Sequence, residues 1–207
     1  MKQLANKHIL LCVTGGIAAY KAAEIIRLFK TAGSNVRVLM TKAAQEFITP
    51  LTMQALSGNQ VHADLLDTEA EAAMGHIELA RWPDLILVAP ATANIISSVA
   101  NGLAIDLAQT ILMATTKKIV FAPSMNVRMW EHPSTKENIL KLKNFGYKFI
   151  GPEIGDMACG EYGEGKMTDP VEIINTLKNY FTNIEKNKKL KALVTAGPTN
   201  EYIDPVR

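Results

Sequence analysis

Leu85-Ile86-Leu87-Val88-Ala89 is an unbroken apolar run between Pro83 and Pro90. A strand that faces water on one side alternates apolar and polar residues. A run with no alternation must be covered on both faces, as in the middle of a parallel sheet. A buried helix shows the same pattern, but this run is too short for one and is bracketed by prolines. The chain must therefore supply two covering layers. The residues that follow, Pro90-Ala91-Thr92-Ala93-Asn94, are small or polar. Small side chains let a ligand approach the backbone, and Thr92 and Asn94 add donors and acceptors. Ligands of open α/β sheets sit beyond the carboxyl ends of the strands, where strand order reverses. An ordinary strand-to-helix turn has the same composition, so both readings stand here.

The rest of the chain supplies the layers. Apolar runs at Ile9–Val13, Val36–Met40, Lys118–Ala122 and Tyr147–Ile150 predict further strands, with a short one over Val61–Leu65. Between them the apolar spacing predicts helices. One runs from Ile17 to Lys30 and is closed by Gly33; another opens at Thr49-Pro50 and ends at Ser57-Gly58. A helical turn follows Gly75-His76, a brief helix covers Asn94–Val99, and Asp106 caps one that reaches Thr115. Capping boxes at Ser134-Thr135-Lys136-Glu137 and Asp169-Pro170-Val171-Glu172 predict two more, to Phe145 and Phe181. Glu69–Met74 reads as exposed, and Gly151–Met167 as a glycine-rich loop without an apolar period. Strands alternating with helices predict an α/β fold, a three-layer doubly wound (flavodoxin/Rossmann-like) parallel sheet over residues 1–181. Residues 182–190 read as a linker. Residues 191–207 open a fresh strand and glycine turn, either a terminal edge strand or the start of a second domain.

Charge and cysteine content exclude several classes. A net charge of +2 gives no electrostatic footprint for nucleic acid. No apolar run approaches the ~20 residues of a membrane helix. Two cysteines, Cys12 and Cys159, are too few for a disulfide framework or a structural zinc site, so no metal is expected and a reducing, cytoplasmic setting is.

Four segments carry candidate chemistry. Thr14-Gly15-Gly16-Ile17-Ala18 is a glycine turn entering a helix, which suits a phosphate or no ligand at all. It lacks the dinucleotide and P-loop patterns, which leaves a mononucleotide such as FMN. His76 follows a glycine at a helix start, as a general base or as a capping residue. Pro123-Ser124-Met125-Asn126-Val127-Arg128-Met129-Trp130 follows a strand with no quick return to helix. Its methionines and Trp could wall an apolar pocket, or simply pack in the core, and Asn126 offers an amide to a carboxylate. Ala158-Cys159-Gly160-Glu161-Tyr162-Gly163-Glu164-Gly165 places a thiol in a loop that a moving lid could bring to a substrate. Cys12, inside the first strand, reads as an inert core residue.

Together these segments resemble the homo-oligomeric flavin-containing cysteine decarboxylases, over essentially all of residues 6–181. Within them the chain is most similar to the decarboxylase half of the bacterial bifunctional enzymes of coenzyme A biosynthesis. The family usually has Ser where Thr92 stands, a change that keeps the hydroxyl. The tail Val194-Thr195-Ala196-Gly197-Pro198-Thr199 with Ile203-Asp204-Pro205-Val206-Arg207 resembles the start of the ligase half, which implies a truncated second domain and no ligase step.

The resemblance implies FMN as cofactor and 4′-phosphopantothenoylcysteine as substrate, converted to 4′-phosphopantetheine. Oxidation of the substrate thiol makes an electron sink, CO₂ leaves, and the ene-thiolate is reduced back. Carried over by position, His76 is the base, Asn126 holds the substrate carboxylate and Cys159 protonates the ene-thiolate. Gly15, Gly16, Ile17, Thr41, Pro90, Ala91, Thr92, Asn94, Ala114 and Thr115 line the FMN. Of these, Thr41, Ala114 and Thr115 are placed by strand ends rather than by a motif. Homotrimers with active sites between subunits are implied, grouped into dodecamers in the bifunctional enzymes. Competing readings are a decarboxylase of peptidyl cysteines, disfavoured by the ligase-like tail, and a non-catalytic FMN-binding regulatory subunit, which has no need of His76, Asn126 and Cys159. A flavin prenyltransferase would not be expected to carry the Asn126 and Cys159 segments, and a nicotinamide dehydrogenase lacks its fingerprint.

Overall fold

The computed structural model describes residues 4–63 and 75–187, with backbone alone over 183–187. The central sheet has six parallel strands: β1 (His8–Val13), β2 (Asn35–Met40), β3 (Val61–His62), β4 (Leu85–Ala91), β5 (Lys118–Pro123) and β6 (Lys148–Phe149). Their spatial order is β3-β2-β1-β4-β5-β6, so the direction of winding reverses between β1 and β4. Helices α1 (Lys21–Thr31), α2 (Lys42–Gln45), α3 (Pro50–Ser57), α4 (Gly75–Arg81), α5 (Ala93–Ala100), α6 (Leu107–Ala114), α7 (Val127–Glu131), α8 (Pro133–Asn144) and α9 (Pro170–Asn187) surround it. The three-layer doubly wound sheet expected from the apolar runs is the fold. Among the described residues no helix is long and apolar enough to cross a membrane.

Two hydrophobic cores sandwich the sheet. Ile9, Leu11 and Val13 of β1 and Leu85, Leu87 and Ala89 of β4 point to a layer holding α1 and α9, with Ile25, Phe29, Ile173 and Leu177. Leu10 and Cys12, with Ile86 and Val88, point to the other layer, where α4, α5, α6 and α8 contribute Leu79, Ile96, Ile111 and Leu142. This two-sided burial is the reason Leu85–Ala89 reads as a continuous run.

Helix boundaries follow local chemistry where a short polar side chain caps the first turn. The Thr49 hydroxyl accepts from Thr52 N–H with Pro50 at the first helical position, and Gly58 closes α3 in the left-handed region at φ 74°. Asp106 Oδ1 accepts from Gln109 N–H at 2.7 Å to start α6.

Several expectations need correction. The helix expected from Ile17 begins as a 3₁₀ turn, Ile17–Tyr20, and becomes α-helical only at Lys21. β4 does not stop at Pro90 but runs on to Ala91. The register against β5 shifts between Val88 and Ala91, and Ala91 faces the same core as Val88 rather than alternating. A proline inside a central strand is tolerated at such an irregularity, where its missing N–H breaks no regular ladder. Ser134 does not cap α8. The helix starts earlier, at Pro133, with His132 as its cap, and His132 Nδ1 accepts from Ser134 N–H at 3.2 Å.

Pro123 is followed by a quick return to helix, since Asn126 caps α7. The glycine-rich segment is an antiparallel hairpin, β7 (Glu153–Asp156) and β8 (Tyr162–Lys166). Helix α9 runs through Thr182 to Asn187, into the expected linker. The segment Glu69–Met74, expected to be exposed, the end of the strand expected at Val61–Leu65, and residues 188–207 lie outside the described residues.

Candidate active site

The reversal of winding opens a crevice at the carboxyl ends of β1 and β4, and the side chains there hold the two strands together. Thr14 Oγ1 donates to Pro90 O at 2.7 Å, and Thr92 N–H donates back to Thr14 Oγ1 at 3.3 Å. Thr92 Oγ1 in turn accepts from Ile95 N–H to cap α5. The chain then turns at Gly15 so close to α2 that a Cβ would collide with the Ala43 side chain and lie 2.8 Å from its carbonyl carbon. Thr41 caps α2 through Ala44 N–H at 3.3 Å. First-turn amides at a helix start have no intrahelical acceptor, so this rim offers donors to an anionic ligand.

These elements surround a cavity of about 790 Å³, lined by Gly15, Gly16, Ile17 and Thr41 together with Thr92 and Asn94. A second wall is Ser124-Met125-Asn126 with Met129, from the end of β5 and the start of α7. The hairpin forms the third wall with Met157, Cys159 and Gly165. It is fastened at its base, since Met125 N–H donates to Gly165 O at 3.0 Å and Lys21 Nζ to Met167 O at 3.2 Å. Gly165, at φ 145°, has no room for a side chain because a Cβ would run into Met125 O.

Asn126 has its amide orientation set from below. Its Oδ1 accepts from Met129 N–H at 2.9 Å as the cap of α7, which directs the N–H₂ group away from the helix. Nδ2 donates to Glu161 Oε2 at 3.0 Å, and the Cys159 thiol donates to the same oxygen at 3.7 Å. The carboxylate thus joins the two residues that the sequence marks for carboxylate binding and proton donation.

Eight of the expected site residues line this one cavity: Gly15, Gly16, Ile17, Thr41, Thr92, Asn94, Asn126 and Cys159. Pro90 and Ala91, expected to line it, do not. Pro90 contributes its carbonyl to Thr14, and Ala91 O accepts from Ser124 N–H at 3.0 Å. Ala114 and Thr115 do not reach it. They end α6, which leads into the amino end of β5, and Thr115 Oγ1 donates to Ala80 O at 2.7 Å. His76, in the first turn of α4, is also not a lining residue.

Of the apolar residues after Pro123, Met125 and Met129 wall the cavity, whereas Trp130 turns into the core. Cys12 is fully buried, and burial together with the nearby Asp106 charge pushes its thiol well above the usual range, as an inert core residue requires. Lys21, Lys42, Lys166 and Asp106 also line the cavity, though no sequence motif marks them as site residues. Glu161, which accepts from Asn126, belongs to the Cys159 segment. Its only available signal was an acidic residue two positions after the thiol.

The tight contact under Gly15 has a measurable consequence. Gly15→Ala is expected to cost about 1–3 kcal/mol through overpacking against Ala43. Thermal unfolding should show a lowered midpoint, and an unchanged midpoint would mean α2 yields freely.

The sequence profile of flavoproteins matches residues 1–182 of this chain. The chain belongs to the flavoprotein family. This flavoprotein is 49% identical over 205 residues to the coenzyme A biosynthesis bifunctional protein CoaBC of Haemophilus influenzae, covering 99% of the chain and 51% of the relative. It is 48% identical over 204 residues to CoaBC of Escherichia coli, covering 99% and 50%. The chain therefore spans about half the length of the curated relatives it matches. Among solved structures it is similar to a PPC decarboxylase mutant complexed with pantothenoylaminoethenethiol, with a TM-score of 0.75 at 31% identity, covering 86% of this flavoprotein and 99% of that chain. It is likewise similar to the FMN-binding protein AtHal3, with a TM-score of 0.73 at 32% identity, covering 86% and 98%.

Proposed function

We propose that this flavoprotein binds FMN and decarboxylates 4′-phosphopantothenoylcysteine to 4′-phosphopantetheine, a step of coenzyme A synthesis, in the cytoplasm. The observation that carries the reading is the placement of Asn126 and Cys159 on one cavity that also receives the glycine turn. The names of the matched relatives support the same activity.

The residues present fit a flavin mononucleotide. The cavity volume lies within the range of about 300–1,000 Å³ usual for cofactor sites. Gly15 and Gly16 contribute backbone without side chains to the cavity wall. Gly15, Gly16, Ile17, Thr41, Thr92 and Asn94 would hold the group, with Pro90 and Ala91 as the backbone frame behind them. Bound FMN would supply a two-electron acceptor for the substrate thiol, the electron sink that a plain cysteine lacks, and would return the same two electrons to the ene-thiolate.

The chain's own residues would then hold and move protons. Asn126 offers the substrate carboxylate the N–H that Glu161 leaves over, since an amide nitrogen carries two. Cys159, at the hairpin tip, gives its proton to the ene-thiolate. His76 takes the thiol proton. Because His76, Ala114 and Thr115 do not line the cavity of their own chain, we place them at the cavity of a neighbouring copy, in a homotrimer that the bifunctional enzymes would group into dodecamers. Ile17 and Tyr20, which line the cavity and are each 61% exposed, favour such an assembly.

His76→Asn is expected to retain FMN, judged by its absorbance after gel filtration, and to lose turnover by about 10²-fold or more. Parent-like turnover would remove the base role. The proposed function itself is tested by supplying FMN and 4′-phosphopantothenoylcysteine and looking by mass spectrometry for the product lighter by CO₂. Bound FMN with untouched substrate would move the reading to peptidyl cysteines or to a regulatory role.

A further inference from the structure

We infer that Glu161 is a positioning residue of the reductive half-reaction: it holds the Cys159 thiol as a proton donor and ties it to Asn126. This rests on the activity proposed above. One carboxylate oxygen, Oε2, receives both the Asn126 amide at 3.0 Å and the Cys159 sulfur at 3.7 Å. The three groups come from two separate elements, the cap of α7 and the tip of the hairpin. Glu161 is therefore what joins the tip to the wall behind it.

The backbone prepares the same arrangement. Met157 N–H donates to Glu161 O and Gly160 N–H to Met157 O, each at 2.9 Å, which closes the turn and leaves Cys159 projecting at its tip. Gly160 sits in the left-handed region at φ 82°, as this turn requires. Asn126 Oδ1 is already committed to Met129. Its N–H₂ group can thus serve Glu161 with one hydrogen and a substrate carboxylate with the other.

Glu161 orients the thiol. A carboxylate oxygen only accepts, so the 3.7 Å contact fixes the direction in which the S–H hydrogen points. A cysteine that must deliver a proton needs to arrive protonated. Glu161 thus acts through Cys159 and does not itself touch the reacting carbon. Once the proton has passed to the ene-thiolate carbon, the thiolate left behind faces the same carboxylate. Cys159 is exposed, so the proton is replaced from the solvent.

Glu161→Gln separates this role from a mechanical one. The glutamine keeps an acceptor for Asn126 and removes the charge. Alkylation by iodoacetamide at pH 7.5, followed by intact mass, reads the thiol directly without substrate. Cys12 is fully buried, so one label reports Cys159 and a second label reports unfolding. Alkylation in Glu161→Gln should be several-fold faster than in the parent flavoprotein, because the charged acceptor that holds the S–H is gone, with Glu161→Asp in between. With 4′-phosphopantothenoylcysteine, CO₂ loss should persist while reduced product falls about tenfold in kcat with little change in KM, and the ene-thiol should accumulate.

Parent-like alkylation and a parent-like product ratio would make Glu161 a staple of the hairpin and overturn the inference. If the parent leaves the substrate untouched, the proposed function fails. The alkylation rates then still decide whether Glu161 governs the thiol.

Discussion

Asn126→Asp should fold with a thermal midpoint within about 2–4 °C of the parent and lose turnover by about a hundredfold or more. The two halves of this expectation come from the two ends of one amide. Asp caps a helix as well as Asn does, so the bond from Met129 N–H, 2.9 Å in the parent, survives and α7 starts where it did. What disappears is the N–H₂ group. On the proposed role, the substrate carboxylate would lose its donor and meet a like charge instead. The same charge stands opposite Glu161, whose Oε2 lies 3.0 Å from the parent Nδ2. Asn126→Ala is the companion, because it removes cap and donor together and should lower the midpoint as well, by about 1 kcal/mol of stability. Circular dichroism against temperature and kcat/KM by product mass check both. Retained turnover in Asn126→Asp would show that the amide is not the carboxylate holder.

Cys159→Ser should still release CO₂ yet make reduced product about 10²–10⁴ times more slowly. Serine preserves the size of the side chain and can still donate to Glu161, so the hairpin tip should stay where the 3.7 Å contact holds it. A hydroxyl is a far weaker acid than a thiol, and the step that needs a proton is the one that should stall. The accumulating species is the ene-thiol, lighter than the finished product by two hydrogens, which mass spectrometry resolves. Normal yield of the saturated thiol would take Cys159 out of the acid role and would leave the exposed hairpin tip without an assigned chemistry.

The parts of this fold that were legible are those governed by neighbours in sequence. Leu85–Ala89 declared a strand covered on both faces, because burial on both sides leaves no position for a polar residue. Thr49-Pro50, Gly58 and Asp106 marked helix ends through bonds that span only a few residues. The hairpin was not legible, because glycines at 155, 163 and 165 have no side chains and so leave no alternation to read. Gly163 and Gly165 have no room for a Cβ because Val127 and the Met125 carbonyl press against them, a contact between remote segments. The passage of β4 through Pro90 was hidden for a similar reason, since the shift is defined by its register against β5.

By itself the sequence determined the layering of the sheet, the glycine turn at its first strand and the side-chain types of the site, because these depend on composition and on contacts within a few residues. Only the tertiary structure decided that Asn126 is both helix cap and wall of the cavity, that Glu161 is the link from it to Cys159, and that His76, Ala114 and Thr115 stand away from the cavity of their own chain. Each of those outcomes depends on how α7, the hairpin and the strand ends approach one another across the sheet, and that approach is set by packing, which has no local signature in the chain.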